Sequence, residues 1–471
     1  MTGGRRGFVV DSVVGLAALL MGGVVFALLV ALVQAESMLV TLDRYVAAEL
    51  NAIVSGSPFL RSVLGLITDL GGSPASWVVL TALSVALWWR RRRRLALYVV
   101  VTGLGLLVLN PGVKELVGRL RPVVEEPVAT APGPSFPSGH ALGSLVTYGV
   151  ALLVLLPAIP QRWRRPAIAG AASLVVLIGF TRVALGVHFL SDVVGGWLLG
   201  LGWLAITTTA FRAGPGAGPR SAPPLPHGLE PRAAPDLVPV PDDRPSFTDP
   251  VRRAAALVVA WVLLWGLLLG AGAVVTQAFP APADRVDSAV VRWMVEHRTS
   301  PVTVVATTVG KLGSTGVVIS VAVFVAVVAV GITRRRRPVL FLGVVLVGEV
   351  ALFLATASII GRSRPPVPQL GPELPPTSSF PSGHVSAAAS LYGATAVLVL
   401  TWARRWWRWL VVATAALVAV LVALARLYFG VHYPSDVLAS GLLAVPWLLA
   451  CWYVLRPEAA RGRPHGVRGG T

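Results

Sequence analysis

Residues 135–157 read SFPSGHALGSLVTYGVALLVLLP, so that a polar element, Pro137-Ser138-Gly139-His140, stands directly before an apolar run. The apolar block, at about 138–157, has the length of about 20 residues that an α-helix needs to cross the hydrocarbon core of a bilayer. Blocks of this kind recur along the whole chain. The sequence therefore predicts an integral membrane protein.

Composition indicates the same class of protein. Of the 471 residues, 55% are hydrophobic and only 13% are charged, whereas soluble domains have about 25% charged residues. This balance excludes an ordinary cytosolic enzyme, a disordered chain and a disulfide-stapled secreted module. Cys451 is the only cysteine, so the chain has neither a disulfide nor a thiolate metal site.

The apolar blocks predict an all-α protein with two tandem six-helix transmembrane bundles, about twelve spans in total. The segment between them is rich in Pro and Gly, carries several charges and has no periodicity, which predicts a disordered cytoplasmic linker. Short stretches near 40–56 and 284–299 have mixed charge and helical spacing, and we expect them to lie along the membrane surface. The predicted parts are a first bundle (1–211), the linker (212–253), a second bundle (254–456) and a disordered basic tail (457–471). The predicted spans are about 9–34, 60–89, 95–117, 138–157, 166–186, 190–211, 254–278, 301–332, 338–360, 382–401, 409–429 and 435–455.

The two bundles are repeats of one another. Pro137-Ser138-Gly139-His140 recurs as Pro381-Ser382-Gly383-His384, and His188-Phe-Leu-Ser-Asp192 recurs as His432-Tyr-Pro-Ser-Asp436. The offset is about 244 residues throughout. Ordered motifs that recur at one offset indicate a tandem duplication.

Short arginine runs set the predicted orientation. The net charge of +19 would favour nucleic acid as a partner in a soluble protein, but the arginines stand in loops between the spans, as at 90–94 and 334–337. Such runs mark cytoplasmic loops. We therefore expect no nucleic-acid partner and a cytoplasmic location for the termini and the linker. The connections at 118–137, 186–190, 361–381 and 429–434 then lie on the extracytoplasmic side.

The polar residues of the first half cluster at these extracytoplasmic helix ends. Lys114, Arg121 and Arg182 form an array of cations that suits a phosphate ester, which carries charge on several oxygens. Ser138 and Gly139 offer a hydroxyl and backbone N–H groups at a helix N-terminus, which is a natural anion site. The arrangement predicts phosphate binding.

Two histidines complete a set for phosphoryl transfer. His188 and Asp192 are four residues apart, so on a helix the carboxylate can reach the imidazole, fix its tautomer and leave the other nitrogen free to attack phosphorus. His140, at the start of a neighbouring helix, can protonate the departing alkoxide. The expected chemistry is phosphate ester hydrolysis without a metal or other cofactor.

These motifs resemble the signature of the type 2 phosphatidic acid phosphatase superfamily, which reads Lys-x6-Arg-Pro, Pro-Ser-Gly-His and Arg-x5-His-x3-Asp. The resemblance covers both bundles but not the linker or tail. It implies that His188 is a nucleophile that forms a phosphohistidine, that Asp192 orients it and that His140 is the general acid. It also implies a phosphate-binding role for the five residues Lys114, Arg121, Ser138, Gly139 and Arg182. Thr181 stands where the family usually has Ser and keeps the hydroxyl.

The second half matches the family less completely. The lysine position is Ala357, and Ala425 replaces the hydroxyl residue before Arg426. Arg362 is nearby, but Arg119 matches it in the first half. We therefore expect a primary site in the first half and a weakened or substrate-shifted site in the second. The matching residues of the second half are His384, His432 and Asp436 for catalysis and Arg364, Ser382, Gly383 and Arg426 for phosphate binding.

The expected function is hydrolysis of a lipid phosphate or diphosphate at the extracytoplasmic face of the cytoplasmic membrane. The family suggests polyprenyl diphosphate, phosphatidic acid and phosphatidylglycerol phosphate as candidate substrates, with polyprenyl diphosphate as first choice. Membrane lipids are the only other expected partners, and no protein partner is expected. Alternatives are a lipid-linked phosphotransferase, a lipid-phosphate transporter or flippase, a binding or scaffold protein, and vanadate-dependent peroxidase chemistry.

Overall fold

Every regular element in the part of the chain that the computed structural model describes is a helix, which confirms the all-α prediction. The chain divides into two compact units, Met1–Pro241 with Val330–Arg334 and Asp242–Ala329 with Arg335–Thr471. The structure describes residues 21–35, 37–124, 131–211, 249–278, 280–333, 335–371, 378–403 and 405–455. The predicted linker and the basic tail lie almost wholly outside the described residues, and the three boundaries between the four predicted parts stay predictions.

The first unit contains eight helices in its described residues, because the predicted second span is broken in two and a further helix precedes it. The break follows Leu70, where Gly71 and Gly72 connect the two pieces. The helices are α1 (Met21–Gln34), α2 (Met38–Ser55), α3 (Pro58–Asp69), α4 (Ser73–Trp89), α5 (Arg93–Val117), α6 (Gly139–Leu155), α7 (Gln161–Ala184) and α8 (Leu190–Phe211).

The second unit repeats this order helix by helix. Tyr148 Oη donates to Leu70 O and Tyr392 Oη donates to Leu312 O, so the breaks in the two units correspond, at a local offset of 242 residues. The helices are α9 (Pro250–Ala273), α10 (Pro280–Glu296), α11 (Ser300–Gly310), α12 (Thr315–Thr333), α13 (Arg337–Ile360), α14 (Gly383–Trp402), α15 (Arg408–Tyr428) and α16 (Pro434–Leu455).

The described helices account for the predicted spans. By length and composition ten of them, with α3 and α4 counted together, can cross a membrane, and the number rises to twelve if two bent pairs are each one span. One pair is α1 with α2, bent by 78°, and the other joins the α11 and α12 segments at 56°. The predicted twelve-span, two-bundle architecture is confirmed, although the first part of the span at 9–34 lies outside the described residues.

The stretches expected at the membrane surface form α2 and α10, and each packs on its own bundle. α2 contacts α7 and α8, and α10 contacts α15 and α16. The buried face of α2 includes two polar side chains, Asp43 and Asn51. Polar groups turned towards a bundle interior need partners there, so α2 contributes to the interior whether or not it also touches the membrane surface, which stays a prediction.

One tryptophan in each unit joins two helices of its bundle, α8 to α5 in the first unit and α16 to α13 in the second. Trp203 Nε1 donates to Thr102 O at 2.8 Å, and Trp447 Nε1 donates to Val345 O at 3.0 Å. A Cβ at Gly105 or at Gly348 would overlap the facing indole ring. Glycine is needed at these two positions because the helices approach so closely.

Candidate active site

The N-terminus of α6 lies against both α5 and α8. Ser138 N donates to Asp192 O at 2.9 Å, which ties the Pro-Ser-Gly-His element to the first turn of α8. A Cβ at Gly139 would lie 2.9 Å from Asn110 Nδ2 of α5, and a Cβ at Gly196 would lie 2.8 Å from Ser138 O. Small residues at these points let three helix ends meet.

His188 lies between a carboxylate and a guanidinium. Its Nδ1 is 3.4 Å from Asp192 Oδ2, and its Nε2 is 3.2 Å from Arg121 Nη1. Asp192 Oδ2 also accepts from Phe189 N at 2.8 Å, which fixes the carboxylate. Since a guanidinium only donates, Arg121 favours the tautomer with the proton on Nδ1 and an unprotonated Nε2, whose electron pair accepts from Arg121.

Burial keeps the His188 imidazole unprotonated. The side chain is 3% exposed, and burial lowers the pKa of His188 to about 4, although the hydrogen bond that its Nδ1 donates to Asp192 opposes this shift. Desolvation disfavours the charged form of a histidine. At neutral pH this histidine is therefore neutral and can act as a nucleophile.

The predicted cations of the first half surround the same point. Arg121 Nη1 donates to Val187 O at 2.7 Å, Lys114 Nζ donates to Pro134 O at 2.9 Å, and Arg182 Nη1 donates to Thr68 Oγ1 at 2.9 Å. His140 interacts electrostatically with all three cations and with His188. The structure thus brings together every candidate residue of the first half.

Three buried polar atoms at this point have no hydrogen-bonding partner among the described residues. They are Ser138 Oγ, Arg182 Nε and Asn110 Oδ1. Buried polar atoms are usually paired, so this group indicates a place for a polar ligand. Asn110, one helical turn before Lys114, was not among the sequence candidates, and only its spacing of four from that lysine could have indicated it.

A buried ion cluster that none of the three sequence motifs indicated lies behind Asp192. Arg119 Nη1 donates to Asp192 Oδ1 at 2.6 Å, and Arg119 Nη2 donates to Asp43 Oδ2 at 2.8 Å. Ser191 N donates to Asp43 Oδ1 at 3.0 Å, and the Ser191 hydroxyl donates to Asp43 Oδ2. One signal was available, because Asp43 recurs as Asp287 at the offset of the other motifs.

The second unit reproduces the ion cluster but alters the contacts of its histidine. Arg362 Nη1 donates to Asp436 Oδ1 at 2.7 Å and Arg362 Nη2 donates to Asp287 Oδ2 at 2.8 Å. His432 Nδ1 lies 2.8 Å from Ser379 O and 3.7 Å from Asp436 Oδ2. The histidine is therefore held mainly by a backbone carbonyl, and its link to the aspartate is weaker than in the first unit.

The remaining candidates of the second unit also meet. Arg364 Nη1 donates to Val431 O at 3.0 Å, as Arg121 does to Val187. His384 interacts electrostatically with Arg426, His432 and Arg364. Ser382 N donates to Asp436 O at 3.3 Å, and Gly383 begins α14.

The wall that faces these residues differs between the units. A Cβ at Gly383 would lie 2.9 Å from the Phe353 ring, where the first unit presents the Asn110 amide. Ala357 replaces Lys114. When the helix breaks of the two units are aligned, Gly310 and Lys311 of the second unit correspond to Thr68 and Asp69 of the first. The second pocket therefore has a less polar wall on α13 and a changed charge at the helix break.

Within the part of the chain that the structure describes, no three His, Cys, Asp or Glu side chains are grouped so that they could hold a metal ion. The expectation of metal-free chemistry stays a prediction that needs a chelator experiment.

Fold and site together define a class: a multi-pass integral membrane protein in which helix ends converge on a buried cluster of histidines and cations, once in each half. The profile of the PAP2 superfamily matches this chain twice, over residues 93–214 and 338–459. The chain belongs to the PAP2 superfamily as a tandem duplication, which confirms the family resemblance found in the sequence. It is a membrane lipid phosphatase of this kind.

Individual proteins with similar sequences are shorter than this chain. It is 31% identical to a phosphatidylglycerophosphatase B of Bacillus subtilis over 152 residues, which are 32% of this chain and 74% of that protein. It is 34% identical to an undecaprenyl-diphosphatase of Sulfolobus acidocaldarius over 161 residues, 33% of this chain and 73% of that protein. A crystal structure of a PAP2-type phosphatidylglycerolphosphate phosphatase from Bacillus subtilis has 28% identity and a TM-score of 0.37, over 40% of this chain and 93% of that one.

Proposed function

We propose that the first unit hydrolyses a lipid phosphate or diphosphate at the extracytoplasmic face through a phosphohistidine on His188. The observation that carries the proposal is the pair of contacts at His188, with Nδ1 towards Asp192 and Nε2 towards Arg121. A neutral imidazole oriented in this way has an unprotonated Nε2 on Arg121, and it can attack phosphorus when that guanidinium turns from the ring to the phosphoryl oxygens of a bound substrate.

In the first step, Nε2 of His188 attacks phosphorus. The N–P bond forms, the bond from phosphorus to the lipid oxygen breaks, and the His140 imidazole gives its proton to the departing oxygen. Lys114, Arg121 and Arg182 stabilise the charge on the phosphoryl oxygens. The positive charge that develops on the His188 ring, which keeps its proton on Nδ1, is stabilised by Asp192.

In the second step, water attacks phosphorus and the N–P bond breaks. His140, now neutral, takes a proton from that water, so that inorganic phosphate leaves and both histidines return to their starting states. His140 therefore donates a proton in the first step and accepts one in the second. With a diphosphate, the first leaving group is the lipid monophosphate.

The substrate is proposed to be a lipid with a phosphate at the membrane edge, and a long-chain polyprenyl diphosphate is the first choice. A pocket at helix ends can take the head group while the tail stays in the bilayer. The names of the two similar proteins support a phosphatidylglycerol phosphate or an undecaprenyl diphosphate. Phosphatidic acid completes the panel of substrates to be tested.

The extracytoplasmic location is proposed from the arginine runs. The arginines at 90–94 and 335–337 lie at the opposite ends of α5 and α13 from the site residues. Since loops rich in arginine stay in the cytoplasm, both pockets would open to the outside.

The second unit is proposed to be a weakened or substrate-shifted site. It keeps both histidines and the aspartate but loses the lysine and has Phe353 facing the start of α14. Loss of one charge-assisted contact costs about 1.5–3 kcal/mol, which slows a reaction by about ten- to hundred-fold. At the helix break of the second unit, Lys311 takes the place of Asp69. This change favours a ligand whose negative charge is distributed differently from that of the first unit's ligand.

The experiment that tests the proposal is phosphate release by detergent-purified full-length protein, with EDTA present, on a panel of polyprenyl diphosphates, phosphatidic acid and phosphatidylglycerol phosphate. We expect release that survives EDTA, that is abolished by His188→Ala and that falls by less than half in His432→Ala. The matched pair of variants compares the same residue in the two units.

Other outcomes identify the alternatives. Equal loss from both histidine variants would contradict a primary site in the first unit. Labelled phosphate that appears on another lipid or sugar rather than in solution would indicate a phosphotransferase. No release from any lipid would overturn the proposal in favour of lipid-phosphate transport or binding.

A further inference from the structure

The cluster of Asp43, Arg119 and Asp192 lies directly behind the His188–Asp192 pair. Arg119 is placed between the two carboxylates, at 2.8 Å from Asp43 and 2.6 Å from Asp192. The guanidinium also lies 4.0 Å from the centre of the Phe189 ring. The three charged side chains are at most 9% exposed, so their charges are poorly screened by solvent.

The charges in this cluster do not cancel. Two carboxylates share one guanidinium, which leaves one formal negative charge. An unbalanced buried charge is costly. Lys114 and Arg121 interact electrostatically with Asp192, but a bound phosphate would neutralise these cations. A further positive charge then appears on His188 when its Nε2 bonds to phosphorus, because the ring carries a proton on Nδ1 beside Asp192.

We propose that Asp43 is a positioning residue that engages Arg119, so that Asp192 keeps its negative charge available to the His188 imidazolium. Without Asp43, Arg119 would form a neutral pair with Asp192 alone and weaken its stabilisation of the ring. Asp43 also anchors Ser191, the residue before Asp192, through both its N–H and its hydroxyl. The inference rests on the proposed function and assigns a role to a residue outside the three sequence motifs.

The second unit supports this assignment independently. Asp287 contacts Arg362 at 2.8 Å, Ser435 Oγ at 2.5 Å and Ser435 N at 3.1 Å. Arg362 contacts Asp436 at 2.7 Å. The cluster is thus present in the second unit although that unit has alanine instead of lysine at position 357. We therefore connect the cluster with the His–Asp pair and not with the cations proposed to bind phosphate.

The test is a double-mutant cycle in the His432→Ala background, so that only the first unit contributes to phosphate release. We expect Asp43→Asn to lower kcat by about ten- to hundred-fold with a smaller change in KM. Arg119→Gln leaves two buried carboxylates together and is expected to be at least as damaging. The double variant Asp43→Asn/Arg119→Gln restores one negative charge, and we expect kcat at least about fivefold above that of Asp43→Asn.

A buried pair that only holds α2 to the bundle is also relieved when both partners are removed, so thermal stability is measured beside kcat. A loss of activity that follows the loss of thermal stability in all three variants, or a double variant no faster than Asp43→Asn, would overturn the proposal. Glu49→Gln is the matched control, because Glu49 is exposed on the same helix and undergoes the same chemical change. Monodispersity of each variant on size-exclusion chromatography checks that it folds.

A second readout does not depend on phosphatase activity. The chain has seven histidines, so ¹⁵N-histidine NMR in detergent can follow His188, assigned through the loss of its signal in His188→Ala. Arg119→Gln should raise the titration midpoint of His188, and the double variant should bring it back towards the wild-type value. Arg121, Arg182 and His140, the other charged or titratable groups near His188, are unchanged in all variants. An unshifted midpoint would overturn the charge assignment, whereas inactive wild-type protein with the expected shifts would overturn only the proposed function.

Discussion

His188 combines low basicity with a fixed orientation. Burial lowers its pKa to about 4, and the contacts with Asp192 and Arg121 define which ring nitrogen carries the proton and which is unprotonated. Below that pKa the imidazole is protonated and cannot attack phosphorus, so in the free enzyme His188 remains competent throughout the neutral and mildly acidic range. In the proposed mechanism, the residue is therefore prepared for attack on phosphorus before any substrate arrives.

At the residue scale, Lys114 is the clearest difference between the two sites. We expect Lys114→Ala to lower kcat/KM for phosphate release by about ten- to hundred-fold, because one charge-assisted contact to the phosphoryl oxygens is lost. The measurement is steady-state phosphate release in the His432→Ala background. Glu115→Ala, an exposed neighbour on the same helix, is the control and should leave the rate within about twofold. A Lys114→Ala protein with wild-type kinetics would contradict a role in phosphate binding.

Single residues were predictable from the sequence where a motif carried them. The histidines, Asp192 and the phosphate cations stand at characteristic spacings, and the structure brings them together. Asp43 and Asn110 have no such motif, since each acts through contacts made between helices distant in sequence. Arg119 was recognised in the sequence only as the counterpart of Arg362, because sequence spacing does not reveal that it lies between two buried carboxylates.

At the scale of elements, helix contacts determine how closely α5 and α8 bring Lys114 and Asp192 together. Trp203 of α8 donates to a carbonyl of α5, and Gly105 provides room for its ring. The same arrangement holds Trp447 against Gly348 in the second unit. Each site is thus supported by a helix contact well inside its bundle.

We expect Gly105→Ala to destabilise the protein by about 1–3 kcal/mol, because the added methyl group overlaps the Trp203 ring in a packed interior. The measurement is thermal unfolding in detergent, followed by loss of the monodisperse size-exclusion peak. Gly202→Ala on α8 is the matched control, since nothing lies within 4 Å of a Cβ there. Equal stability of the two variants would contradict the packing role of Gly105.

Element boundaries were predictable where apolar blocks ended at charged or Pro-containing loops. The break after Leu70 was not predicted, although Asp69, Gly71-Gly72 and Pro74 interrupt the hydrophobic block at this point. Tertiary contacts determine it: Tyr148 binds the Leu70 carbonyl, and a side chain at Gly71 would overlap Ile178. α2 was expected at the membrane surface because its sequence is amphipathic, and amphipathicity alone does not show that Asp43 faces a buried arginine.

At the scale of the whole molecule, one chain carries two versions of the same site. The ion cluster behind the aspartate is kept in both units, whereas the wall that α13 contributes to the second site is less polar than the wall that α5 contributes to the first. The differences lie on α13 and at the break between α11 and α12. A duplicated domain can change in this way when one copy retains the reaction and the other is free to bind a different ligand.

The central claim is that the reaction passes through a phosphohistidine on His188. The most direct measurement is rapid alkaline quenching of full-length protein during turnover of a lipid phosphate labelled with ³²P, followed by counting of protein-bound label and mass spectrometry of the labelled peptide. We predict alkali-stable, acid-labile label on the peptide that contains His188, retained in His432→Ala and absent in His188→Ala. Label that persists in folded His188→Ala protein, or a wild-type enzyme that releases phosphate without ever carrying label on His188, would contradict the account.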